Sequence, residues 1–124
     1  MKKITPYAIP GVKTELDQII SECFGTTVEQ MRSRTKKPPH ATARQFAMWF
    51  YQIYLDHSEI QAGKIYDRDH STAHSAKNLI WNLMETDKAF KSLADKTVDL
   101  IRAIGIIKKD DKMKLSNHGT NKDN

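Results

Sequence analysis

Apolar positions recur at helical spacing along most of the chain. In residues 13–24, Leu16, Ile19, Ile20, Cys23 and Phe24 share one face, the repeat of an amphipathic helix. Gly25 follows and suits a C-terminal cap. TTVEQM then offers a second start, where Thr26 with Glu29, or Thr27 with Gln30, matches a capping box. This short helix runs into the basic segment RSRTKKPPH, and Pro38 and Pro39 forbid its continuation.

The longest apolar pattern is ATARQFAMWFYQIYLD, residues 41–56. Ala43, Phe46, Ala47, Phe50, Ile53 and Tyr54 lie on one stripe, with Arg44, Gln45 and Gln52 off it. This predicts a central buried helix with a polar edge at its N-terminal end. A short helix is expected over residues 58–66, then a tight DRD connection and a long helix over 70–85 capped by Asp67 or Asp69. The long helix is small and polar over residues 70–77, while Ala73, Ala76, Ile80, Leu83 and Met84 hold one apolar face. A last helix over 88–105 places Phe90, Leu93, Ala94, Thr97, Leu100, Ile101 and Ile104 on its stripe and stops at Gly105. The pattern contains no repeat and no strand. It predicts an all-α domain of five or six helices, in which a short helix, a turn and a helix with a polar start form a helix-turn-helix. Residues 1–12 read as an N-terminal arm, 13–106 as the helical domain and 107–124 as a disordered polar tail.

Composition adds bounds. The 124 residues carry a net charge of +5, a mild pointer to an anionic partner such as nucleic acid or a membrane surface. No apolar run is long enough to span a bilayer, and the N-terminus lacks the apolar stretch of a signal peptide. Cys23 is the only cysteine, so no internal disulfide forms, and a cytoplasmic, nucleoid-associated protein is the expectation. No G-x-x-x-x-G-K-[ST] loop is present, so no nucleotide site and no ATPase activity are expected.

YDRDHSTAHSA, residues 66–76, concentrates the candidate chemistry. As a metal site, His70 and His74 share a helix face, with His57 and Asp69 as further ligands only if the fold brings them close. The intervening residues lack a general-base Glu, and four ligands are not marked. As a catalytic site, Ser71 or Thr72 lacks a Gly-rich elbow and an orienting carboxylate. As a DNA-reading helix tip, His70, Ser71 and Thr72 are short and able to hydrogen-bond base edges, and the Thr methyl can touch a thymine methyl. Arg68 reaches phosphate or guanine, the helix dipole favours phosphate at the same place, and Asp69 accepts from a cytosine amino group. The bland reading of the string is a solvated helix start with a capping Asp.

GKIYDRDHSTAHSA, residues 63–76, closely resembles the signature of the C-terminal DNA-binding domain of the bacterial replication initiator DnaA. FGTTVEQMRSRTKK resembles that family's Phe-Gly-x-x-Val segment and basic loop, ARQFAMWF its Arg-Gln-x-Ala-Met helix start, and METDKAF its approach to the final helix. The resemblance covers residues 14 to about 104. It implies a Trp-repressor-like helix-turn-helix fold and binding to double-stranded DNA at short asymmetric boxes of the TTATCCACA type. It also implies major-groove reading by Asp69, His70, Ser71 and Thr72, phosphate contact by Arg44 and Gln45, and a minor-groove contact in the loop at Lys36. Lys37, beside Lys36, joins the expected DNA-binding set, as does Arg68; Arg32 and Arg34 are further basic-loop candidates.

Three departures from the family stand out. Lys36 replaces the usual Arg and lacks its planar fork. Pro38-Pro39 predicts a stiffer loop, and Gln61-Ala62 replaces an apolar pair in the first helix of the motif, which predicts altered packing. The family's ATPase domain has no counterpart in these residues, which implies a freestanding domain, of phage or mobile-element origin or a truncated relative. Trp49, Phe50, Tyr54 and Trp81 sit at helical spacing among apolar residues and read as core, not as base-stacking platforms. The expectation is a non-enzymatic binder of duplex DNA that needs no cofactor and no metal. Its rival is a protein-interaction module of a replication or regulatory complex that has lost DNA reading.

Overall fold

The computed structural model describes residues 14–107. The expected arm, and the expected tail beyond Ile107, lie outside them. Among the described residues six helices follow in order: α1 Thr14–Phe24, α2 Val28–Met31, α3 His40–Tyr54, α4 Glu59–Ile65, α5 His70–Thr86 and α6 Lys88–Ala103. The described residues contain no strand. None of the helices is long and apolar enough to cross a membrane.

Local signals set most boundaries. Gly25 adopts φ +77°, and the amides of Gly25 and Thr26 return to the carbonyls of Glu22 and Ser21, closing α1. Of the two possible caps that follow, Thr27 is used: its hydroxyl accepts from the Gln30 amide. Thr26 instead meets His40 Nδ1 at 2.6 Å, tying the end of α1 to the start of α3. Asp87 closes α5 and opens α6, its carboxylate accepting from the Phe90 amide.

Helix α3 is the axle of the fold, packed against α1, α2, α4 and α5, while α6 lies across α1 and α5. It is more completely buried than its stripe predicts. Met48, Trp49 and Tyr51 are as inaccessible as Phe46, Ala47, Phe50 and Ile53. Arg44 and Gln52, expected on the polar side, are buried too. A helix packed against four others keeps little solvent side beyond its N-terminal end, so the off-stripe polar residues that become covered must find partners inside. Gln52 does so, its Nε2 donating to the Met48 and Ala73 carbonyls at 3.1 Å each.

The core is aromatic at its centre. Phe46, Trp49, Phe50, Tyr54 and Trp81 form a chain of ring contacts, with Trp49 and Trp81 edge to face at 5.7 Å. This places Trp49, Phe50, Tyr54 and Trp81 in or against the core, as their spacing predicts. On α6 the buried face is Phe90, Ala94, Thr97, Val98 and Ile101, rotated toward Val98 relative to the predicted stripe. Leu100 and Ile104 consequently stand about half exposed. Ile107, assigned to the polar tail from its surroundings in the sequence, is buried against the core.

Candidate nucleic-acid interface

The turn between α4 and α5 is built to be tight. Ser58 and Gln61 form a capping box that starts α4. Gln61 therefore serves the helix start while Ala62 is buried, so the polar residue at this departure from the family pattern costs the core nothing. At the other end, the amides of Tyr66 and Arg68 both donate to the Gly63 carbonyl, and Asp67 takes φ +58°. A Cβ on Gly63 would stand 2.6 Å from the Arg68 carbonyl oxygen and 2.8 Å from that of Asp69. Only glycine lets the backbone pass there.

Asp69 caps the helix that leaves this turn. Its Oδ1 accepts from the Thr72 amide at 2.9 Å and from the Ser71 hydroxyl at 3.0 Å. These bonds, the Thr72 amide first, hold its carboxyl below the ordinary carboxylate range. The small buried residues Ala73 and Ala76 press α5 against its neighbours and leave His70, Ser71 and Thr72 on the outer surface. The helix tip is thus exposed, polar and low in bulk.

The basic loop that precedes α3 is shaped by arginines from several places in the chain. Arg44 reaches back from α3, its Nη1 donating to the carbonyls of Met31 and Ser33 and its Nη2 to that of Thr35, at 2.7–3.0 Å. Arg68, at the turn, donates to the Tyr66 carbonyl at 2.6 Å and to the same Ser33 carbonyl at 2.9 Å. Arg32 pairs with the fully buried Asp17 of α1, donates to the Ile65 carbonyl and lies 4.6 Å over the Tyr66 ring. The Tyr66 hydroxyl donates to the other Asp17 oxygen. Burial pushes the Asp17 carboxyl up, and Arg32 and Tyr66 pull against that shift. Arg34 is exposed and approaches Asp67 at 3.4 Å.

Loop, α3 and the tip of α5 together enclose a cleft of about 410 Å³ lined by Arg34, Lys36, Ala41, Arg44, Gln45, Met48, Arg68 and Thr72. Four of these are cations and none is a carboxylate. The crowding is felt: burial, then Arg68 and Arg34, push the Arg44 guanidinium down to about 10. Burial and Arg34 also lower Arg68. Both stay charged at neutral pH, so the cleft is a concentrated positive field facing solvent.

Of the nine residues expected at a DNA surface, Lys36, Arg44, Gln45, Arg68 and Thr72 meet around this cleft. Asp69, His70 and Ser71 continue its rim along the tip of α5, and Lys37 is exposed beside Lys36. Arg44 differs from its expected setting: it is 5% exposed and turned inward onto carbonyls, lying at the cleft floor and not on an open face. Arg32 is likewise committed to Asp17 and Ile65. Arg34, one of the basic-loop candidates, also lines the cleft, and Met48 is a cleft residue that the sequence did not assign to the site. Arg34 was legible as one of several basic-loop charges, and Met48 as the Met of the Arg-Gln-x-Ala-Met match, to which no site role was attached.

His74 has a different partner set from the one a metal would need. Its Nδ1 lies 2.6 Å from Glu59 Oε2 and its Nε2 3.1 Å from Asn78 Nδ2. Lys77 reaches the same Glu59 oxygen at 3.5 Å. This cluster joins α4 to α5 on the outer side of the motif. Among the described residues, no three His, Cys, Asp or Glu side chains converge as a metal site would require.

A short helix, a tight glycine turn and a second helix with an exposed polar tip beside a cationic cleft make this a helix-turn-helix domain. The comparisons with known proteins narrow this. Residues 14–80 match the family model described as bacterial dnaA protein helix-turn-helix. The chromosomal replication initiator protein DnaA of Flavobacterium psychrophilum is 34% identical over 100 residues, 76% of this chain and 21% of that protein. The DnaA of Desulfotalea psychrophila is 35% identical over 77 residues, 61% of this chain and 15% of that protein. That of Mycoplasma capricolum is 29% identical over 89 residues, 71% and 19% of the two chains. The chain belongs to the bacterial DnaA helix-turn-helix family, and that membership supports DNA binding. It spans about a fifth of the length of the replication initiators it matches.

Proposed function

We propose that this domain binds duplex DNA sequence-specifically and does so without nucleotide hydrolysis, cofactor or metal. The observation that carries the reading is the cleft itself. Four cations with no carboxylate among them face the same solvent space as Thr72 and the tip of α5. Such a field attracts a polyanion, and a polar helix tip beside it suits a major groove.

The roles divide by geometry. His70, Ser71 and Thr72 offer donors, acceptors and a methyl to base edges. Asp69 caps the helix and presents its remaining acceptor capacity at the same rim. Gln45 and Lys37 hold phosphates, which fix register but carry no sequence information. Lys36 extends from the loop toward the adjacent minor groove. Arg44 and Arg68 add charge from the cleft floor and wall. The family resemblance makes a box of the TTATCCACA type the first target to try.

Fluorescence anisotropy tests this directly. The purified chain is titrated with one duplex carrying that box and one scrambled duplex, each at two salt concentrations. Tighter binding to the box, with affinity falling steeply as salt rises, is the expected result. Equal and salt-sensitive binding would keep DNA as the partner but assign a different target sequence. No binding to either duplex would overturn the DNA reading in favour of a protein-interaction module.

A further inference from the structure

We propose that Arg44 and Arg68 are positioning residues that lock the basic loop to the start of α5 through the Ser33 carbonyl, so that Lys36 and Thr72 meet DNA as one preset unit. This rests on the DNA reading above and assigns Arg44 a role other than the surface phosphate contact its sequence position suggests.

Three observations converge on it. First, the carbonyls of Met31, Ser33 and Thr35 all point at the Arg44 guanidinium. The loop is wrapped around that one side chain, which spends three of its five N–H groups there. Second, the Ser33 carbonyl accepts from Arg44 and from Arg68, each at 2.9 Å. A carbonyl oxygen has two lone pairs, so this atom is filled by one donor from α3 and one from the turn that aims α5. Third, Arg68 also holds the Tyr66 carbonyl at 2.6 Å, fixing the turn with the same guanidinium that grips the loop.

The consequence is rigidity between two DNA-contacting elements that are distant in sequence. Lys36 lies in the loop, Thr72 on the helix tip, and both line the one cleft. If each were ordered separately on DNA, each would lose conformational freedom at that moment. A brace that sets their separation in the free protein removes that cost and makes the two contacts depend on each other. Arginine is required for the task. A lysine ammonium is a point charge on a flexible stem and cannot span three carbonyls in a fixed plane.

The test uses Arg44→Lys, which keeps the charge and removes the fork. In the free protein, hydrogen exchange is followed at the Ser33, Thr35 and Lys37 amides, which are hydrogen-bonded within the loop. Arg44→Lys should speed their exchange and leave the amides of α6 unchanged. On DNA, it should cut the preference for the correct duplex roughly tenfold with an unchanged salt slope. In a Lys36→Ala background it should cost little more, because a brace acts through the residue it places. Arg68→Lys carries the same expectation from the turn side and serves if Arg44→Lys fails to fold.

Unchanged loop exchange would overturn the brace. So would a loss that adds fully to that of Lys36→Ala. An affinity loss equal on all duplexes, with Arg44→Ala lowering the salt slope by about one, would make Arg44 a phosphate contact instead. A wild-type chain that binds neither duplex would overturn the DNA reading, whatever the exchange shows, and the binding half of this proposal with it.

Discussion

The two elements that border the cleft are made in opposite ways. The tip of α5 is built locally. Asp69 caps it, the Thr72 amide answers three residues on, and Gly63 opens the turn just before it. The basic loop is built from a distance. Its carbonyls are held by Arg44 and Arg68, and its base by an ion pair from Arg32 to Asp17 in α1. A helix tip can be assembled from a capping residue and a short polar run, because the helix supplies its own remaining hydrogen bonds. A loop without secondary structure has no such ladder, so side chains from the scaffold must satisfy its carbonyls.

The contrast is sharpest at Asp17. Its carboxylate is fully buried between the Arg32 guanidinium and the Tyr66 hydroxyl. Asp17→Ala removes the carboxylate that both share, leaving Arg32 its bond to the Ile65 carbonyl, and should cost roughly 3–5 kcal/mol, the usual penalty for stripping one member from a buried ion pair. Asp17→Asn keeps an acceptor for Tyr66 and should cost less. Urea denaturation of the three proteins checks the ranking. If Asp17→Ala matched wild type, the loop would not depend on α1 and the contrast would collapse.

Gly63→Ala strikes the locally built element instead. The added methyl meets two backbone carbonyl oxygens, which cannot swing away as a flexible side chain can. The turn must open, at a cost of about 1–3 kcal/mol or more. Because the turn aims α5, the variant should also bind every duplex more weakly at a temperature where it is still folded. Circular dichroism melting and anisotropy on one sample separate these two effects.

The same contrast explains what was legible in the sequence. The helix order, the tight DRD turn, a capping aspartate at 67 or 69 and the small polar tip of His70, Ser71 and Thr72 all follow from spacing within a few residues; that Asp69 is the cap and that Gly63 must be glycine came from the structure. The family resemblance supplied the residues of the loop, and the fold brings Lys36 and Gln45 to one cleft. The inward turn of Arg44 was not readable. Its partners lie 9, 11 and 13 residues away, and no helical period connects them. Gln52 and Asp17 were missed for the same reason. A polar residue beside an apolar stripe looks like solvent-facing surface until the neighbouring helix is known to cover it. The exposure of Leu100 and Ile104 reverses the error: their spacing fits the stripe, but the contact face of α6 is centred on Ala94 and Ile101 and extends toward Val98, away from Leu100 and Ile104.

Thr72 sits where the two elements meet, on the helix tip and on the cleft wall. Thr72→Ala removes a hydroxyl and a methyl from the surface while leaving the backbone amide that Asp69 accepts. Stability should hardly change, since the residue is exposed. The preference for the correct duplex over a scrambled one should fall by roughly 1–3 kcal/mol, the range for a specific base contact. A uniform loss on both duplexes would place Thr72 on phosphate and leave base reading to His70 and Ser71.

The smallest expected effect concerns the cap itself, and it is a matter of pH. The Asp69 carboxyl is held below its ordinary value by the Thr72 amide and the Ser71 hydroxyl. A folded-state value below the unfolded one means that folding favours the ionised form. The stabilisation is therefore complete above the ordinary carboxylate range and is lost as pH falls through the lowered value. Asp69→Asn retains an acceptor for the Thr72 amide but has no charge to titrate. At neutral pH the variant should melt slightly below wild type. On acidification the two melting curves should converge, because wild type loses the charge the variant never had. Melting curves that stay parallel at every pH would mean that the Asp69 charge contributes nothing to the tip, and that geometry alone sets it.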